Sequence, residues 1–244
     1  MKMMLVKLDN PITLSRVIDI LSELVTEVRL KVNENGMSIT AMDPANVAMI
    51  GFRIPKSAFS QFETDEEVLG VNLDSLKRIL KRGGPGSSLI LEKQENMLNI
   101  LIQDRIKRSF SLNLIEIESE DKEMPNLEFS SRVELNSIDL IASIEDCLVV
   151  ADACSFVIQD GKFIIEAKNL NSARSEFSGD EASIQAENCK SKYSLEYLSK
   201  FIKASKLSEK TVLNFAEDHP LKMDIRTPGI ELSFILAPRV ETED

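Results

Sequence analysis

Histidine and tryptophan are almost missing from this sequence: its 244 residues include one histidine and no tryptophan. Histidine is the commonest general base and metal ligand near neutral pH, so most familiar catalytic constellations are excluded. No stretch approaches the roughly 18 apolar residues of a membrane-spanning helix. The start, Met1 to Lys7, is too short and too soon charged again for a signal peptide. We therefore expect the protein to stay inside the cell.

Cysteine is also scarce, with Cys147, Cys154 and Cys189 leaving an odd thiol. The first two are seven residues apart on a predicted helix, which corresponds to about 10 Å of rise and lies beyond disulfide reach. We therefore expect all three to be free structural thiols.

What the chain does contain is typical of a soluble globular protein. Its composition is 43% hydrophobic and 28% charged, which disfavours disordered, collagen-like and disulfide-scaffold classes. The length predicts one or two domains. The formal net charge is −11 and the pI is about 4.8. Taken alone, this acidic balance argues against a nucleic-acid binder, whose usual footprint is basic.

The chain repeats itself at about half its length. Landmarks recur with a nearly constant offset of 122 to 127 residues, in the same order. The matched pairs are Val6 with Val133, the turn at Asn33 to Gly36 with Gln159 to Gly161, the helix start Leu73 with Leu195, Leu98 with Leu221, and Phe110 with Phe234. Each half combines short alternating strands with two amphipathic helices, which predicts a duplicated α+β fold.

The predicted domains are residues 1–115 and 133–244, joined by a connecting loop at residues 116–132. Five acids, Glu116, Glu118, Glu120, Asp121 and Glu123, precede Met124 and Pro125 in this loop. Paired acids could bind a divalent cation. With neither a histidine nor a turn glycine among them, a solvated charge run is the favoured interpretation.

Positive charge is concentrated on the second helix of each half. At 100° per residue, Leu73, Leu76, Ile79 and Leu80 share one face, and the cations Lys77, Arg78, Lys81 and Arg82 occupy the other. In the second half, Leu195, Leu198, Phe201 and Ile202 form the apolar face, and the cations are Lys200, Lys203 and Lys206. Removing these seven cations from the total of −11 leaves −18 elsewhere.

A basic helix face can simply be solvated, but its repetition at equivalent places predicts one continuous phosphate-binding surface. The first helix of each half differs. Arg16 lies beside Asp19 and Glu23 in one, and the helix from Ile138 to about Val149 has no lysine or arginine. We expect these first helices to bind phosphate poorly by themselves.

These residues together resemble a PCNA-type DNA sliding clamp, and the archaeal members look most similar. The resemblance covers essentially the whole chain. It rests on the duplicated halves, Ala41-Met42-Asp43-Pro44, the helix Leu73 to Arg82, the acidic linker with Met124-Pro125, and the ending Phe234-Ile235-Leu236-Ala237-Pro238-Arg239-Val240.

The resemblance implies a trimeric ring with helices on the inner face and antiparallel sheets outside, through which duplex DNA passes. It places eight cations near the channel: Arg16, Lys77, Arg78, Lys81, Arg82, Lys200, Lys203 and Lys206. The ring would close by pairing edge strands of neighbouring subunits. By resemblance these edges are Ser109, Phe110, Ser111, Leu112, Asn113, Leu114 and Ile115 in the first half, and Ala173, Arg174, Ser175, Glu176, Phe177 and Ser178 in the second. In-chain sheet is the alternative.

Clamp partners dock a PIP-box peptide, a glutamine followed by spaced hydrophobic and aromatic residues, beside the connecting loop. The matching pocket positions here are Met42, Asn46, Val47, Met124, Pro125, Pro220, Ile235, Leu236, Ala237 and Pro238. Methionine and proline near an exposed loop suit such an adaptable apolar surface, although core packing is an alternative for Met42, Val47 and Leu236. Lys122 stands where the family often has an apolar residue.

The resemblance therefore predicts a non-enzymatic processivity factor without cofactor or metal. Expected partners are duplex DNA, bound without sequence preference, an ATP-driven clamp loader, DNA polymerase, flap endonuclease, DNA ligase, and two identical or related subunits. The expected location is the nucleoid in the cytoplasm of an archaeon, or the nucleus of a eukaryote. An acidic adaptor that binds proteins but does not encircle DNA is the alternative.

An enzyme is the rival class. The segment Gly83 to Ser88 lacks the lysine of a phosphate-binding loop and follows a helix, so a hairpin-like connection is expected. His219 precedes Pro220, which favours extended backbone, and no nucleophile, acid and histidine trio can be identified. Neither a phosphate-binding loop nor a catalytic His219 explains the duplication.

Overall fold

The computed structural model describes residues 4–118 and 121–240. The start of the first predicted domain (residues 1–3), Glu120 of the connecting loop and the end of the second predicted domain (residues 241–244) lie outside the described residues. The chain divides into two compact units. The first comprises Met1–Pro44, Ile50–Glu123 and Pro228–Glu231, and the second comprises Ala45–Met49, Met124–Thr227 and Leu232–Asp244.

The first unit contains two helices and nine strands. The helices are α1 (Ile12–Leu21) and α2 (Leu73–Leu80). The strands are β1 (Leu5–Leu8), β2 (Glu27–Asn33), β3 (Gly36–Met42), β4 (Ala48–Pro55), β5 (Gln61–Glu63), β6 (Glu67–Asn72), β7 (Ser88–Gln94), β8 (Met97–Gln103) and β9 (Lys107–Asn113), with a short 3₁₀ turn at Lys56–Ala58. Five strands form one sheet in the order β5-β1-β7-β8-β9. The other four are neighbouring hydrogen-bonded strands in the order β4-β3-β2-β6.

The second unit repeats this plan element by element. Its helices are α3 (Ser137–Leu148) and α4 (Leu195–Ser205). Its strands are β10 (Ser131–Asn136), β11 (Ala153–Gln159), β12 (Lys162–Lys168), β13 (Ser172–Phe177), β14 (Ala182–Ala186), β15 (Cys189–Ser194), β16 (Lys210–Phe215), β17 (Leu221–Thr227) and β18 (Ile230–Leu236). The strand orders are β14-β10-β16-β17-β18 and β13-β12-β11-β15, matching those of the first unit position for position.

Strand register confirms the duplication at single residues. Val6 of β1 pairs antiparallel with Phe62 and Leu91, and Val133 of β10 pairs with Ile184 and Leu213 in the equivalent strands. Both valines are buried, because alternate residues of a strand share one face. The glycine turns also correspond, with Gly161 in the left-handed region at φ 74° and Gly36 at φ 131°.

The two units fill their equivalent cores with different side chains. The largest fully buried residues of the first unit are aliphatic or methionine, and include Met4, Ile18, Met37 and Ile50. Those of the second unit are aromatic: Phe156, Phe163, Tyr193, Phe201, Phe215 and Phe234. Because a core needs filled volume more than particular residues, one architecture accommodates both sets.

One local prediction, the placement of Cys154 on a helix, was wrong. Helix α3 ends at Leu148, so Cys154 lies on β11 rather than on the same helix as Cys147. The two thiols are hydrogen-bonded to each other, and this bond together with burial raises the pKa of Cys154. All three cysteines are free and buried. The segment Gly83 to Ser88 connects helix α2 to strand β7.

In the connecting loop, the described residues 114–118 and 121–130 have no regular secondary structure. Strand β10 begins at Ser131, inside the segment predicted as residues 116–132. Asp121 is exposed but paired, with its carboxylate 2.8 Å from Lys31 and 3.4 Å from Arg29. These cations lower the pKa of Asp121 through a hydrogen bond from Lys31 and through their charge. The proposed domain boundaries stay a prediction.

The start of this loop lies against Gly70 of the outer strand β6. The Ile115 amide donates to the Gly70 carbonyl at 3.0 Å. A Cβ at position 70 would lie 1.9 Å from the Ile115 carbonyl oxygen, closer than van der Waals contact allows. A glycine at position 70 therefore lets the loop cover the outer edge of β6.

We expect Gly70→Ala to displace Ile115 and destabilise the chain by about 1 to 3 kcal/mol, the range seen for overpacking. Hydrogen exchange at the Ile115 amide and denaturant unfolding measure this. Gly84→Ala is the matched control, because a Cβ there has no neighbour within 4 Å. Equal unfolding midpoints for the two variants would contradict the steric account.

None of the helices in residues 4–118 and 121–240 is long and apolar enough to cross a membrane.

Candidate functional site

Helix α2 carries its cations on the side away from the core. Leu73, Leu76 and Leu80 are buried, as the helical periodicity predicts. The exposed residues are Arg78, Lys81 and Arg82, and Lys77 is half-buried. The cations cluster in the last turn and just beyond it, where the helix dipole favours positive charge.

Carboxylates partly neutralise this cationic face. Asp19 of α1 lies 2.9 Å from the Lys81 ammonium and 4.0 Å from that of Lys77. Lys77 is also 3.0 Å from Asp74. Within the described part of the chain, Arg78 and Arg82 have no ion pair, so these two arginines are the least neutralised cations of the helix.

Helix α4 repeats the arrangement in the second unit. Leu195, Leu198, Phe201 and Ile202 are among its buried residues, with Phe201 stacked on Phe234 at a centroid distance of 4.5 Å. Lys203 and Lys206 are exposed. The Lys200 ammonium lies 3.5 Å from Glu196 and 5.5 Å from the centre of the Tyr197 ring, so Lys200 already has local partners.

The two pairs of helices differ in charge. In the first unit, α1, α2, Lys81 and Arg82 together contain five cations and two carboxylates. In the second unit, α3, α4 and Lys206 contain three cations and four carboxylates. The acids come mainly from α3, which packs beside α4 and has no lysine or arginine. Ile138 on α3 and Val149, the residue after the helix, are 74% and 83% exposed. The positive field is therefore stronger in the first unit.

Both strands predicted as subunit edges lie at the edge of a sheet within their own unit. Strand β9 ends the order β5-β1-β7-β8-β9, and β13 ends the order β13-β12-β11-β15. The outer backbone side of each strand is not hydrogen-bonded by a strand of its own unit. On β9, the exposed residues include Ser109, Ser111 and Asn113. On β13, exposure alternates in the same way, and the exposed residues are Ser172, Arg174 and Glu176.

A pocket of about 550 Å³ lies in the second unit at the end of the chain's last strand. It contains three of the ten predicted peptide-pocket residues, Val47, Ala237 and Pro238. The remaining lining residues are Leu148, Ala151, Asp152, Ser194, Leu195, Glu196 and Arg239. These come from the end of α3 and the turn after it, from the start of α4, and from the segment after β18. The sequence analysis did not predict any of them as pocket residues.

The segment after β18 is held against this pocket by three contacts. The Ala237 amide donates to the Val47 carbonyl at 2.9 Å, and the Arg239 amide donates to the Lys192 carbonyl at 2.7 Å. The Arg239 guanidinium lies 3.0 Å from the Asp152 carboxylate. The guanidinium of Arg239 also donates a hydrogen bond to the Asp152 carboxylate, and this bond together with the positive charge of Arg239 holds the pKa of Asp152 below its usual value.

The other predicted pocket residues differ in exposure. Met124 and Pro220 are half-buried, and Pro125 and Asn46 are exposed. Asn46 adopts a left-handed backbone with φ 57°. Two side chains, Ile235 at 6% and Leu236 at 0% exposure, are buried in the core. Met42 belongs to the first unit, where it is half-buried at the end of β3.

The single histidine is engaged in packing. The His219 ring lies edge-on to Phe129 at a centroid distance of 5.4 Å. The His219 carbonyl accepts hydrogen bonds from the Tyr193 hydroxyl at 2.7 Å and from the Ser191 hydroxyl at 3.1 Å. Within residues 4–118 and 121–240, no cluster of three or more histidine, cysteine or acidic residues could hold a metal ion.

Comparison with known proteins matches both halves of the chain to one family. The family model "Proliferating cell nuclear antigen, N-terminal domain" matches residues 3–123, and the model "Proliferating cell nuclear antigen, C-terminal domain" matches residues 123–240. The chain is 37% identical to DNA polymerase sliding clamp 1 of Thermococcus kodakarensis, over 90% of this chain and 92% of that protein. It is 36% identical to the DNA polymerase sliding clamp of Pyrococcus furiosus, over 93% and 94%.

A solved structure shows the same fold. The proliferating cellular nuclear antigen from Entamoeba histolytica superposes with a TM-score of 0.91 at 23% identity, covering 98% of this chain and 100% of that one.

Proposed function

Because this chain belongs to the proliferating cell nuclear antigen family, we propose that it acts as a DNA sliding clamp that encircles duplex DNA and tethers DNA polymerase. The predicted family and the predicted duplicated α+β fold are confirmed. The observation that carries the proposal is the repeated cationic helix: α2 and α4 occupy equivalent places in two equivalent units, and each presents lysine or arginine to solvent.

The ring would form by pairing β9 of one subunit with β13 of the next. Both strands lie at sheet edges, and an unpaired edge is a template for another strand. Each chain carries one edge of each kind, so the contact is head-to-tail and can be repeated until a ring closes. Three subunits, as the resemblance implies, would bring six units together. Phe110 and Phe177 lie on the two pairing strands and would be among the residues of the contact.

The helices would face the DNA, with the eight channel cations contacting phosphates. Contacts of this kind are independent of sequence and weaken with salt. The difference in charged residues between the units supports weak binding: α3, α4 and Lys206 together carry four carboxylates and three cations, which does not favour a tight phosphate site. Retention would then depend on topology, since a closed ring cannot leave a closed circle of DNA without opening.

Partner enzymes would bind through a peptide seated near the pocket of Val47, Ala237 and Pro238. The apolar side chains there suit the hydrophobic residues of a PIP-box peptide, and Ser194 offers a hydroxyl for a polar side chain such as glutamine. DNA polymerase, flap endonuclease and DNA ligase are the proposed partners. An ATP-driven clamp loader is the proposed opener of the ring.

We propose that the protein has no catalytic activity of its own. The ring of His219, the single histidine of the sequence, packs edge-on against Phe129. The work of a clamp is done by binding and topology. Its proposed place in the cell is wherever the DNA is: the nucleoid of an archaeon or the nucleus of a eukaryote.

Retention on circular DNA tests the topological mechanism. The loaded protein should stay on closed circular DNA through gel filtration and should be lost when a restriction enzyme linearises the same DNA. Blocking both ends of the linear DNA with bulky protein complexes should restore retention. Equal loss from circular and linear DNA would instead favour the acidic adaptor. The native mass of the purified chain, expected to be that of a trimer, is the companion measurement.

A further inference from the structure

A second pocket of about 520 Å³ lies on the outer face of the five-stranded sheet of the second unit. Strands β10, β16 and β17 form its floor, and Leu127 and Phe129 of the connecting loop contribute to its wall. None of the residues that line it belongs to the pocket of Val47, Ala237 and Pro238.

Strand register explains why charged side chains converge there. Arg132 of β10 is opposite Asn214 of β16, which in turn is opposite Lys222 of β17. Two residues further along these strands, Val212 of β16 is opposite Asp224 of β17. Alternate residues of a strand share a face, so these side chains all project from the side opposite the core.

The pocket is cationic in an otherwise acidic chain. Arg132, Lys210, Lys222 and Arg226 contribute four positive charges, against two carboxylates. This local excess of two stands against a net charge of −11 for the chain. An anionic group near the pocket would therefore meet a local field of opposite sign to that of the molecule as a whole.

Both carboxylates are already engaged. Glu134 lies 2.9 Å from Arg132. Asp224 lies 3.7 Å from Lys222 and also accepts a hydrogen bond from Ser233. Across the described ranges, Lys210 and Arg226 have no ion pair. These two exposed cations are therefore the groups with charge available to a ligand.

We propose that this pocket binds an acidic peptide segment of a protein partner. Leu127, Phe129 and Val212 provide apolar contact for aliphatic side chains, while Lys210 and Arg226 pair with carboxylates. The resident Glu134 and Asp224 repel the closely spaced phosphates of a nucleic acid more than they repel a peptide with separated charges. Mixed apolar and cationic lining of this kind fits a peptide better than a sugar-phosphate backbone.

The pocket lies beside the connecting loop, and this position also supports an acidic peptide as the occupant. This step rests on the proposed function. Pro125, a predicted residue of the PIP-box pocket, is two residues before Leu127, a chain distance of at most about 7 Å. Residues flanking a bound PIP-box peptide could therefore reach the second pocket. Their effective concentration there would be high, so even weak charge pairing would add to the affinity.

Peptides that differ only in their flank test the proposal. The full-length protein is titrated with a fluorescent PIP-box peptide extended at either end by glutamates, and with the same peptides extended by glutamines. We expect at least one glutamate flank to bind about fivefold more tightly at low salt, the range of two exposed charge pairs. The preference should disappear at about 300 mM salt, because screening removes exposed pairing.

A double variant locates the effect. Lys210→Gln with Arg226→Gln should abolish the preference for the glutamate flank and leave the affinity for the glutamine-flanked peptide unchanged. Lys162→Gln with Lys168→Gln removes the same charge from another sheet of the unit and should preserve the preference. No preference in the natural protein, or an undiminished preference in the Lys210 and Arg226 variant, would overturn the proposal.

Failure of the proposed function can be distinguished from failure of the acidic-peptide proposal. If no PIP-box peptide binds, an acidic leucine-containing peptide without the motif is titrated alone at low salt. Binding that is lost in the Lys210 and Arg226 variant supports the acidic-peptide site, and absence of binding overturns it. An oligonucleotide that binds this pocket in place of that peptide also overturns it, in favour of nucleic acid.

Discussion

Reversing the charge of Lys81 and Lys203 together is expected to reduce retention on DNA by about tenfold or more, with the trimer mass unchanged. Each substitution replaces a phosphate-attracting cation with a repelling carboxylate at an equivalent place on α2 or α4. A glutamate at position 81 would also lie near Asp19, whose carboxylate is 2.9 Å from the Lys81 ammonium in the natural protein. The salt dependence of DNA binding should become shallower by about one unit for each lost phosphate contact.

The matched control is Lys56→Glu with Lys168→Glu. These exposed lysines lie outside the four helices, one in each unit, and their reversal changes the net charge by the same amount. If the control variant loses DNA as readily, net charge and not the helix face decides retention. An unaffected Lys81 and Lys203 variant would refute the channel assignment.

The single variants should differ from each other. Lys81 lies in a helix pair with five cations and two carboxylates, and Lys203 lies in one with three cations and four carboxylates. We expect Lys81→Glu to have the larger effect, because a phosphate is held more strongly where the surrounding field is positive. Measuring both single variants under the same salt conditions checks this order.

Phe156→Ala is expected to have the largest effect on stability, a loss of about 3 to 5 kcal/mol. Phe156 is fully buried in the second unit and touches three other rings. Its centroid is 5.5 Å from Phe163, 5.3 Å from Tyr193 and 5.9 Å from Phe215, all in tilted or edge-on geometry. Truncation removes these contacts together and leaves a cavity among rings that cannot easily collapse.

Denaturant unfolding at one fixed protein concentration measures this loss, because subunit association makes apparent stability depend on concentration. Leu170→Ala is the control: Leu170 is 98% exposed, so its truncation should change the free energy of unfolding by less than about 0.5 kcal/mol. A loss below about 1 kcal/mol for Phe156→Ala would show that the aromatic cluster does not hold the second unit together.

The duplication could be predicted because periodicity survives large changes in side-chain identity. Val6 and Val133 were matched from a few neighbouring residues, and both lie on equivalent central strands. The cores around them diverged, one toward aliphatic and one toward aromatic residues. A search for identical residues would therefore find little, whereas the alternation of buried and exposed positions remains visible in the sequence.

The prediction that all three cysteines are free was confirmed. The placement of Cys154 on the same helix as Cys147 was wrong, because helix ends depend on packing as well as on local pattern. Apolar residues continue past Leu148 at Val149 and Val150, so the sequence offers no clear stop. The chain turns there and returns as β11, which brings Cys154 beside Cys147. The pairing of Asp19 with Lys81 was likewise unpredictable, since the two residues are far apart in sequence and meet only when α1 packs on α2.

The sequence by itself determined the duplicated α+β plan, the apolar and cationic faces of α2 and α4, and the family resemblance, because each is recorded in local periodicity and order along the chain. Tertiary structure decided which cations are neutralised, which strands are edges, and which residues form the pockets. Val47, Asp152 and Ala237 line one pocket, and Arg132, Lys210 and Arg226 another, only because strand pairing and helix packing join distant segments. The net charge of −11 describes the chain as a whole, and only the folded structure shows where positive charge is concentrated on its surface.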